Sequence, residues 1–261
     1  MPPSGSLTVF NNFVILKSPY SVLYLAQNVT YLGGTNMNAP FSAYTQSATL
    51  VKTNTFIRSV YNWMAIGLGL TAVVAYVVSN AMMTSPAFFQ TMRSLFWVLV
   101  IAELGFVWYL SARVQKIKAS TATMLFTVYA ILNGATLSFI FLAYTMTSIA
   151  STFIICSSIF LACSIYGMVT KKDLTSLGGF MFMGLIGIVI ASVVNIFLQS
   201  SGMQMIISYV GVIVFIGLTA YDTQKLKTMA VTLPDNATGA MVRKGAIIGA
   251  LSLYLDFINL F

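Results

Sequence analysis

The sequence predicts an all-α, polytopic membrane protein with seven transmembrane helices, and three observations lead to this fold class. Of the 261 residues, 58% are hydrophobic and only 7% are charged, whereas an ordinary soluble domain is about 25% charged. Seven apolar segments follow residue 55, and the first six each hold the roughly 20 residues that cross a bilayer as a helix. The basic residues lie singly or in pairs between these segments, which is typical of topology signals. We therefore expect a lipid bilayer, and no nucleic acid, as partner.

The first 55 residues differ in composition from the rest and are predicted to form a separate region. They are rich in Ser, Thr, Asn, Tyr and Pro, and they lack the basic start and continuous apolar centre of a signal peptide. Met37 opens a plausible shorter protein, so the translation of residues 1–36 stays open. We expect a largely disordered cytoplasmic tail over residues 1–55, followed by a transmembrane domain over residues 56–261.

The apolar segments place the helices of this domain. The first six are predicted near residues 58–83, 95–113, 121–144, 148–170, 177–199 and 203–225. The seventh begins near residue 245 and rises only about 25 Å before Phe261. It is expected either to cross the bilayer incompletely or to continue beyond the given sequence. No internal repeat is visible, which disfavours an inverted-repeat transporter.

The basic residues orient this path. If each of the seven helices crosses the membrane in turn, Arg93 lies on one side and the other twelve basic residues lie on the opposite side. The positive-inside rule makes the side with the twelve basic residues cytoplasmic. The N-terminus is therefore predicted to be cytoplasmic. The twelve residues on that side are Lys17, Lys52, Arg58, Arg113, Lys116, Lys118, Lys171, Lys172, Lys225, Lys227, Arg243 and Lys244.

The residue types that the chain lacks narrow its chemistry. The chain has no histidine, which excludes Ser-His-Asp and Cys-His catalysis and zinc sites built on histidine. Cys156 and Cys163 lie two helical turns apart, too far for a disulfide with each other, and are interpreted as apolar packing residues. We expect no catalytic residue and no resident cofactor.

Carboxylates at membrane depth are the candidate functional groups, because such a group costs on the order of 3 kcal/mol or more at the bilayer centre. Asp222 lies at the end of the sixth segment, Asp256 inside the seventh, and Glu103 near the middle of the second. Arg113 ends that second helix, with its side chain about 80° around the axis from Glu103. It either snorkels to the interface or pairs with one of the buried aspartates.

Helical spacing places Asp256 on a face of small and polar residues. This face is expected to contact protein, because small residues let neighbouring helices approach and two of them form a GxxxG pair. Its members are Gly245, Gly249, Ser252, Asp256 and Asn259. The structural alternatives are that Asp256 bonds a neighbouring helix, and that Asp222 pairs with Lys225 or Lys227 at a helix end.

The carboxylates, hydroxyls and carbonyls within membrane depth offer many oxygen ligands and few nitrogen ligands. Such surroundings suit hard cations such as Ca²⁺. Two nearby carboxylates also resist double ionisation, so they share a proton and titrate as a unit. Asp222 and Asp256 are therefore the candidate pH-sensing pair and the candidate contacts for a Ca²⁺ ion.

These segments resemble the Bax inhibitor 1 family, also called the transmembrane Bax-inhibitor-motif family, over roughly residues 50–261. The resemblance rests on the stretches Phe56-Ile57-Arg58-Ser59-Val60-Tyr61, Ala220-Tyr221-Asp222-Thr223-Gln224 and Leu253-Tyr254-Leu255-Asp256-Phe257-Ile258-Asn259-Leu260-Phe261. It implies a seven-helix fold with the last helix central, a pH-sensitive calcium leak and, since the first stretch is similar to bacterial members, a place in the bacterial inner membrane.

The resemblance also implies roles for single residues. In that family the aspartates matching Asp222 and Asp256 form the pH-sensing pair, and the arginine matching Arg113 latches the closed state. The glutamate matching Glu103 lies near the ion path. Some bacterial members are also associated with a membrane-bound AAA protease. The chain departs from the family in a longer loop between the two aspartates and in lacking basic residues after the last helix.

Helix arithmetic sets a condition on the aspartate pair. Asp222 lies about 5 Å along its helix from Lys225. Asp256 lies about 18 Å along its own helix from Lys244. A carboxylate pair therefore requires the last helix to begin deeper in the cytoplasm, or Lys225 and Lys227 to face a wet vestibule.

Two other functions stay open. One is an interaction protein without transport that regulates a membrane protease or a cell-death or stress pathway through helix contacts. The other is an intramembrane aspartyl protease, since such enzymes place one aspartate in each of two adjacent helices. Their second aspartate usually follows Gly-x-Gly, whereas Asp256 follows Tyr254 and Leu255, so this alternative is disfavoured.

Overall fold

The computed structural model describes residues 7–10, 13–16, 39–113, 116–234 and 237–261. The predicted disordered tail falls mostly outside these ranges and stays a prediction. Within it, strands β1 (Leu7–Phe10) and β2 (Phe13–Leu16) pair antiparallel with Leu7 opposite Leu16. The first helix begins well before residue 58, so that residues 39–55 are helical.

The rest of the described chain is helical. In chain order the helices are α1 (Ala39–Thr84), α2 (Pro86–Arg113), α3 (Ala119–Leu137), α4 (Ile140–Ala143), α5 (Met146–Val169), α6 (Thr175–Leu198), α7 (Ser201–Thr232) and α8 (Gly239–Leu260). Each long helix corresponds to one predicted segment, with the short α4 completing the third. The predicted all-α membrane fold is confirmed.

Six helical segments of the described residues are long and apolar enough to cross a membrane. They are Lys52–Thr84, Pro86–Tyr109, Ala119–Ala143, Met146–Val169, Thr175–Leu198 and Ser201–Thr232. The predicted seventh helix, α8, forms but is not among these six, and it carries Arg243, Lys244 and Asp256. The protein is therefore a multi-pass membrane protein with six to seven spanning helices.

Local capping explains where the helices begin. The Ser85 hydroxyl accepts a hydrogen bond from the backbone N–H of Phe88 (3.3 Å), and Pro86 suits the first helical position. As a result α2 starts at Pro86 rather than near residue 95. In the same way Thr238 accepts from the N–H of Met241 (3.3 Å), so α8 starts six residues earlier than predicted.

The end of α7 also lies beyond its predicted position. The helix continues past residue 225 to Thr232. Pro234 follows two residues later, and the residue before a proline disfavours helical geometry. The ammonium group of Lys52 donates to the carbonyls of Leu233 (2.9 Å) and Pro234 (2.7 Å) at this end.

The last helix is the most enclosed part of the helical domain. It packs against α3, α5 and α7, and the side chains of Ile247, Leu253 and Tyr254 are fully buried. By contrast, large apolar side chains such as Trp108, Phe180 and Phe197 are exposed on α2 and α6, as expected for faces that meet lipid. The predicted central position of the last helix is thereby confirmed.

Candidate functional site

Close antiparallel packing of α7 against α8 sets the geometry of the site. A Cβ at Gly249 would collide with the side chain of Leu226, and one at Gly245 would come within 3.8 Å of the Met229 sulfur. Leu226 and Met229 of α7 therefore face Gly249 and Gly245, in that order, so the two helices run antiparallel. Gly245 also lets Phe56 of α1 approach, its ring 3.2 Å from where a Cβ would stand. The small residues thus bring α1 and α7 close to α8.

This packing brings together Asp222 and Asp256, the predicted pH-sensing pair. The Ser252 hydroxyl bonds the Asp222 carboxylate, and Asp256 follows Ser252 by one turn of α8, a rise of about 6 Å. The Asp222 carboxylate lies near enough to Asp256 to act on it electrostatically. The two side chains therefore lie near each other between α7 and α8.

The two carboxylates differ in their surroundings. Asp256 is only 5% exposed, and its Oδ2 atom has no hydrogen-bond partner within the part of the chain that the structure describes. Asp222 is less enclosed and has the Ser252 hydroxyl and the Lys225 ammonium as favourable partners. A buried charged oxygen without a partner is costly, so Asp256 is the less well satisfied member of the pair.

Two features of the structure bear on the depth condition, which stays a prediction. Helix α8 begins at Gly239, earlier than predicted, and α7 extends well past Asp222. Lys225 and Lys227 also line an open cavity of about 800 Å³. We call this cavity the basic vestibule, because its lining includes Lys171, Lys172, Lys225 and Lys227.

Three residues around Asp222 in the motif Ala220 to Gln224 each contact a different neighbouring part of the chain. Gly167 lets α5 approach the Ala220 carbonyl. Gly178 of α6 lies against the Tyr221 ring, which a Cβ at this position would hit. The Gln224 side chain donates to the Lys172 carbonyl (2.7 Å) and accepts from the Leu174 N–H (2.8 Å). Sequence reasoning missed these three contacts, because spacing within one helix does not show which neighbour a residue meets.

The structure does not bring Arg113 to the aspartate pair. Its side chain is exposed at the end of α2, and the charges that act on Asp222 and Asp256 come from Lys225 and from the pair itself. This exposure agrees with the alternative that Arg113 snorkels to the interface. The predicted latch is therefore not formed in this conformation.

Glu103 lies in a second polar cluster that sequence reasoning did not find. Its carboxylate accepts hydrogen bonds from the hydroxyl of Thr136 and from the Asn133 amide nitrogen (3.4 Å). The Asn133 carbonyl oxygen accepts from the Tyr254 hydroxyl (3.3 Å), which lies 2.6 Å from the Thr71 hydroxyl. The cluster joins α1, α2, α3 and α8, and a lone asparagine in an apolar run was the signal that could have revealed it.

The described carboxylates lie in groups of fewer than three metal-ligating side chains. In the described ranges, no group of three or more His, Cys, Asp or Glu side chains could hold a metal ion. Calcium normally takes six to eight oxygen ligands. Asp222 and Asp256 alone supply fewer oxygen ligands than this number.

The helical domain that contains both aspartates is similar to proteins from several bacteria. A family model described as "Inhibitor of apoptosis-promoting Bax1" matches residues 53–261. The inner membrane protein YbhL of Escherichia coli is 50% identical over 207 residues, which cover 79% of this chain and 88% of the relative. An uncharacterized protein of Borreliella burgdorferi is 43% identical over 208 residues (80% and 88%). One of Deinococcus radiodurans is 40% identical over 219 residues (84% and 92%).

Proposed function

Because this chain belongs to the Bax inhibitor 1 family, we propose that it is a passive, pH-sensitive cation leak with Ca²⁺ as its cargo. The Asp222–Asp256 pair is the proposed gate. The observation that carries the proposal is the buried Oδ2 of Asp256, without a hydrogen-bond partner in the described chain and beside a second carboxylate. A cation or a proton is what such an oxygen can stably bind.

The gate would act through the contact between α7 and α8. A proton shared by the two carboxylates removes their repulsion and holds the helices together, which is the closed state. Gain or loss of a proton weakens this link and shifts the population towards an open state. The shared proton is proposed to lie mainly on Asp256, because its Oδ2 atom has no hydrogen-bond partner among the described residues. The latch formed by Arg113, and a place for Glu103 along the ion path, remain parts of this proposal.

Calcium flux into proteoliposomes, measured across a pH series, tests this function. We expect Asp222→Asn and Asp256→Asn each to abolish the pH dependence of flux, because a carboxamide does not titrate. Asp235→Asn is the matched control, since it makes the same chemical change at a sequence position between α7 and α8. Unchanged flux and pH dependence in both gate variants would rule out the proposal.

A second candidate is an interaction protein without transport, which the description of the matching family as an inhibitor of apoptosis-promoting Bax1 favours. It includes regulation of a membrane-bound protease or of a stress response. This function predicts that capture of a partner membrane protein survives the loss of both aspartates, whereas a gate-dependent interaction would not.

Proteolysis is the least supported function, and we propose that the protein is not an enzyme. Leu253 and Tyr254 are fully buried, and Asp256 is nearly so. A substrate backbone could approach Asp256 only if the core opened, because the residues that precede it fill the space.

A further inference from the structure

Among the described residues, the lining of the basic vestibule carries more positive than negative charge. Its lining includes four lysines and one acidic residue, Asp173. The side chains of Lys171, Lys172 and Lys225 are exposed to solvent. They come from two parts of the chain, the α5–α6 connection and the last turns of α7, and converge on one cavity.

Gln224 fixes the connection that supplies two of these lysines. Its amide group donates to the Lys172 carbonyl (2.7 Å) and accepts from the Leu174 N–H (2.8 Å). Lys227 adds a third link, because its ammonium group donates to the Met168 carbonyl (2.6 Å). The loop lysines are therefore held beside α7 by bonds to its side chains.

Asp173, the acidic residue of the described lining, is already engaged within its own turn. The Asp173 carboxylate accepts from the hydroxyl (2.6 Å) and the N–H (2.9 Å) of Thr175. These bonds hold the pKa of Asp173 below its ordinary value. On the opposite wall, Lys225 lies over the ring of Tyr221, 5.9 Å from its centroid. The Asp173 carboxylate is thus bonded to Thr175, whereas Lys171 and Lys172 are exposed in the cavity lining.

We propose that the basic vestibule binds a phosphate-bearing anion, either the headgroup of an anionic lipid or a soluble phosphate compound. Lysine ammonium groups bind phosphate as point charges, and several of them around one cavity add their attraction. The cavity lies at helix ends, where lipid headgroups and dissolved ions both have access.

Occupancy of the vestibule would also act on the gate, a consequence that rests on the proposed function. Lys225 lines the vestibule and attracts Asp222 electrostatically. An anion in the vestibule competes for Lys225 and weakens that attraction. Binding itself requires no leak activity, so the two ideas can fail separately.

Isothermal titration calorimetry of the purified full-length protein with inorganic pyrophosphate tests the binding. The test variant combines Lys171→Gln and Lys172→Gln. Its matched control combines Lys116→Gln and Lys118→Gln, which removes two exposed lysines that are not in the vestibule lining. We expect the affinity to fall about tenfold or more in the test variant, the scale of losing charge-assisted hydrogen bonds, and to stay unchanged in the control.

Native mass spectrometry of phosphatidylglycerol retained after extraction distinguishes the two sources. Loss of bound lipid in the test variant alone identifies a headgroup as the anion, whereas weaker pyrophosphate binding with equal lipid retention identifies a soluble compound. Equal behaviour of the test variant and its control in both measurements would overturn the proposal. Because the substituted lysines are exposed, folding is expected to persist, and helix content by circular dichroism checks it.

Discussion

Tyr254 and Asp256 lie two residues apart on α8, yet their polar atoms meet different surroundings. The Tyr254 hydroxyl has the hydroxyl of Thr71 and the carbonyl oxygen of Asn133 within hydrogen-bonding distance. The Asp256 Oδ2 has no such partner among the described residues. Satisfied polar groups hold a core in one arrangement, whereas an unsatisfied one favours change. Tyr254 therefore acts as a structural anchor, and Asp256 is suited to be a switch.

Removal of the Tyr254 hydroxyl tests its role as an anchor. We expect Tyr254→Phe to lower the free energy of unfolding in detergent by about 1 kcal/mol, because two hydrogen-bonding groups lose a partner in a buried site. Tyr166→Phe is the control, because Tyr166 is 47% exposed and should change stability little. Equal stability of the two variants would contradict the assignment.

At the scale of helices, close approach is set by glycines in the sequence. Gly167 brings α5 against the backbone of α7 at Ala220, and Gly178 lies flat against the Tyr221 ring. Both contacts flank Asp222, so they fix one half of the pair. The GxxxG pair on α8 fixes the other half by admitting Leu226 and Phe56. Packing on both helices thus holds the two carboxylates in place.

A methyl group at Gly167 tests this packing. In Gly167→Ala the added Cβ would collide with the carbonyl oxygen of Ala220, which cannot move without shifting α7. We expect a loss of about 1–3 kcal/mol of stability, the usual cost of overpacking. Gly179→Ala is the control, since its added Cβ meets no atom within 4 Å apart from the adjoining residues and the backbone of its own helix. There the greater helix propensity of alanine should leave stability equal or slightly higher. The packing account is wrong if the two variants lose equal stability in thermal unfolding.

The helices themselves could be predicted, but their ends could not be placed as well. Long apolar runs predict membrane helices because few other structures satisfy the backbone in lipid. The starts of α2 and α8 depend on single capping residues, Ser85 and Thr238, which hydropathy does not register. The predicted face of α8 depended only on helical spacing, and the glycines on that face do contact neighbouring helices.

At the scale of the whole molecule, the family and the central position of the last helix could be predicted from short motifs. The cluster around Glu103 could not, because it joins residues of four helices. Their mutual distances depend on tertiary packing. The basic vestibule escaped sequence reasoning for the same reason: charge counting placed its lysines on one side of the path without bringing them to one cavity.

The basic residues also distinguish the two ends of the membrane helices. Arg93 lies exposed near the start of α2, and Arg113 lies at the opposite end of that helix. The vestibule lysines are predicted to lie on the same side as Arg113. The cytoplasmic orientation of this side follows from the positive-inside rule and remains a prediction.

The central claim is that Asp222 and Asp256 act as one titrating unit, and a double-mutant cycle on calcium flux tests it most directly. The flux of the wild type, Asp222→Asn, Asp256→Asn and the double variant is measured across the same pH series in proteoliposomes. Residues that act as a unit are not additive. We predict that each single variant loses the pH dependence and that the double variant is no more impaired than either. Additive effects of the two substitutions, or a pH dependence that persists in the double variant, would contradict the claim.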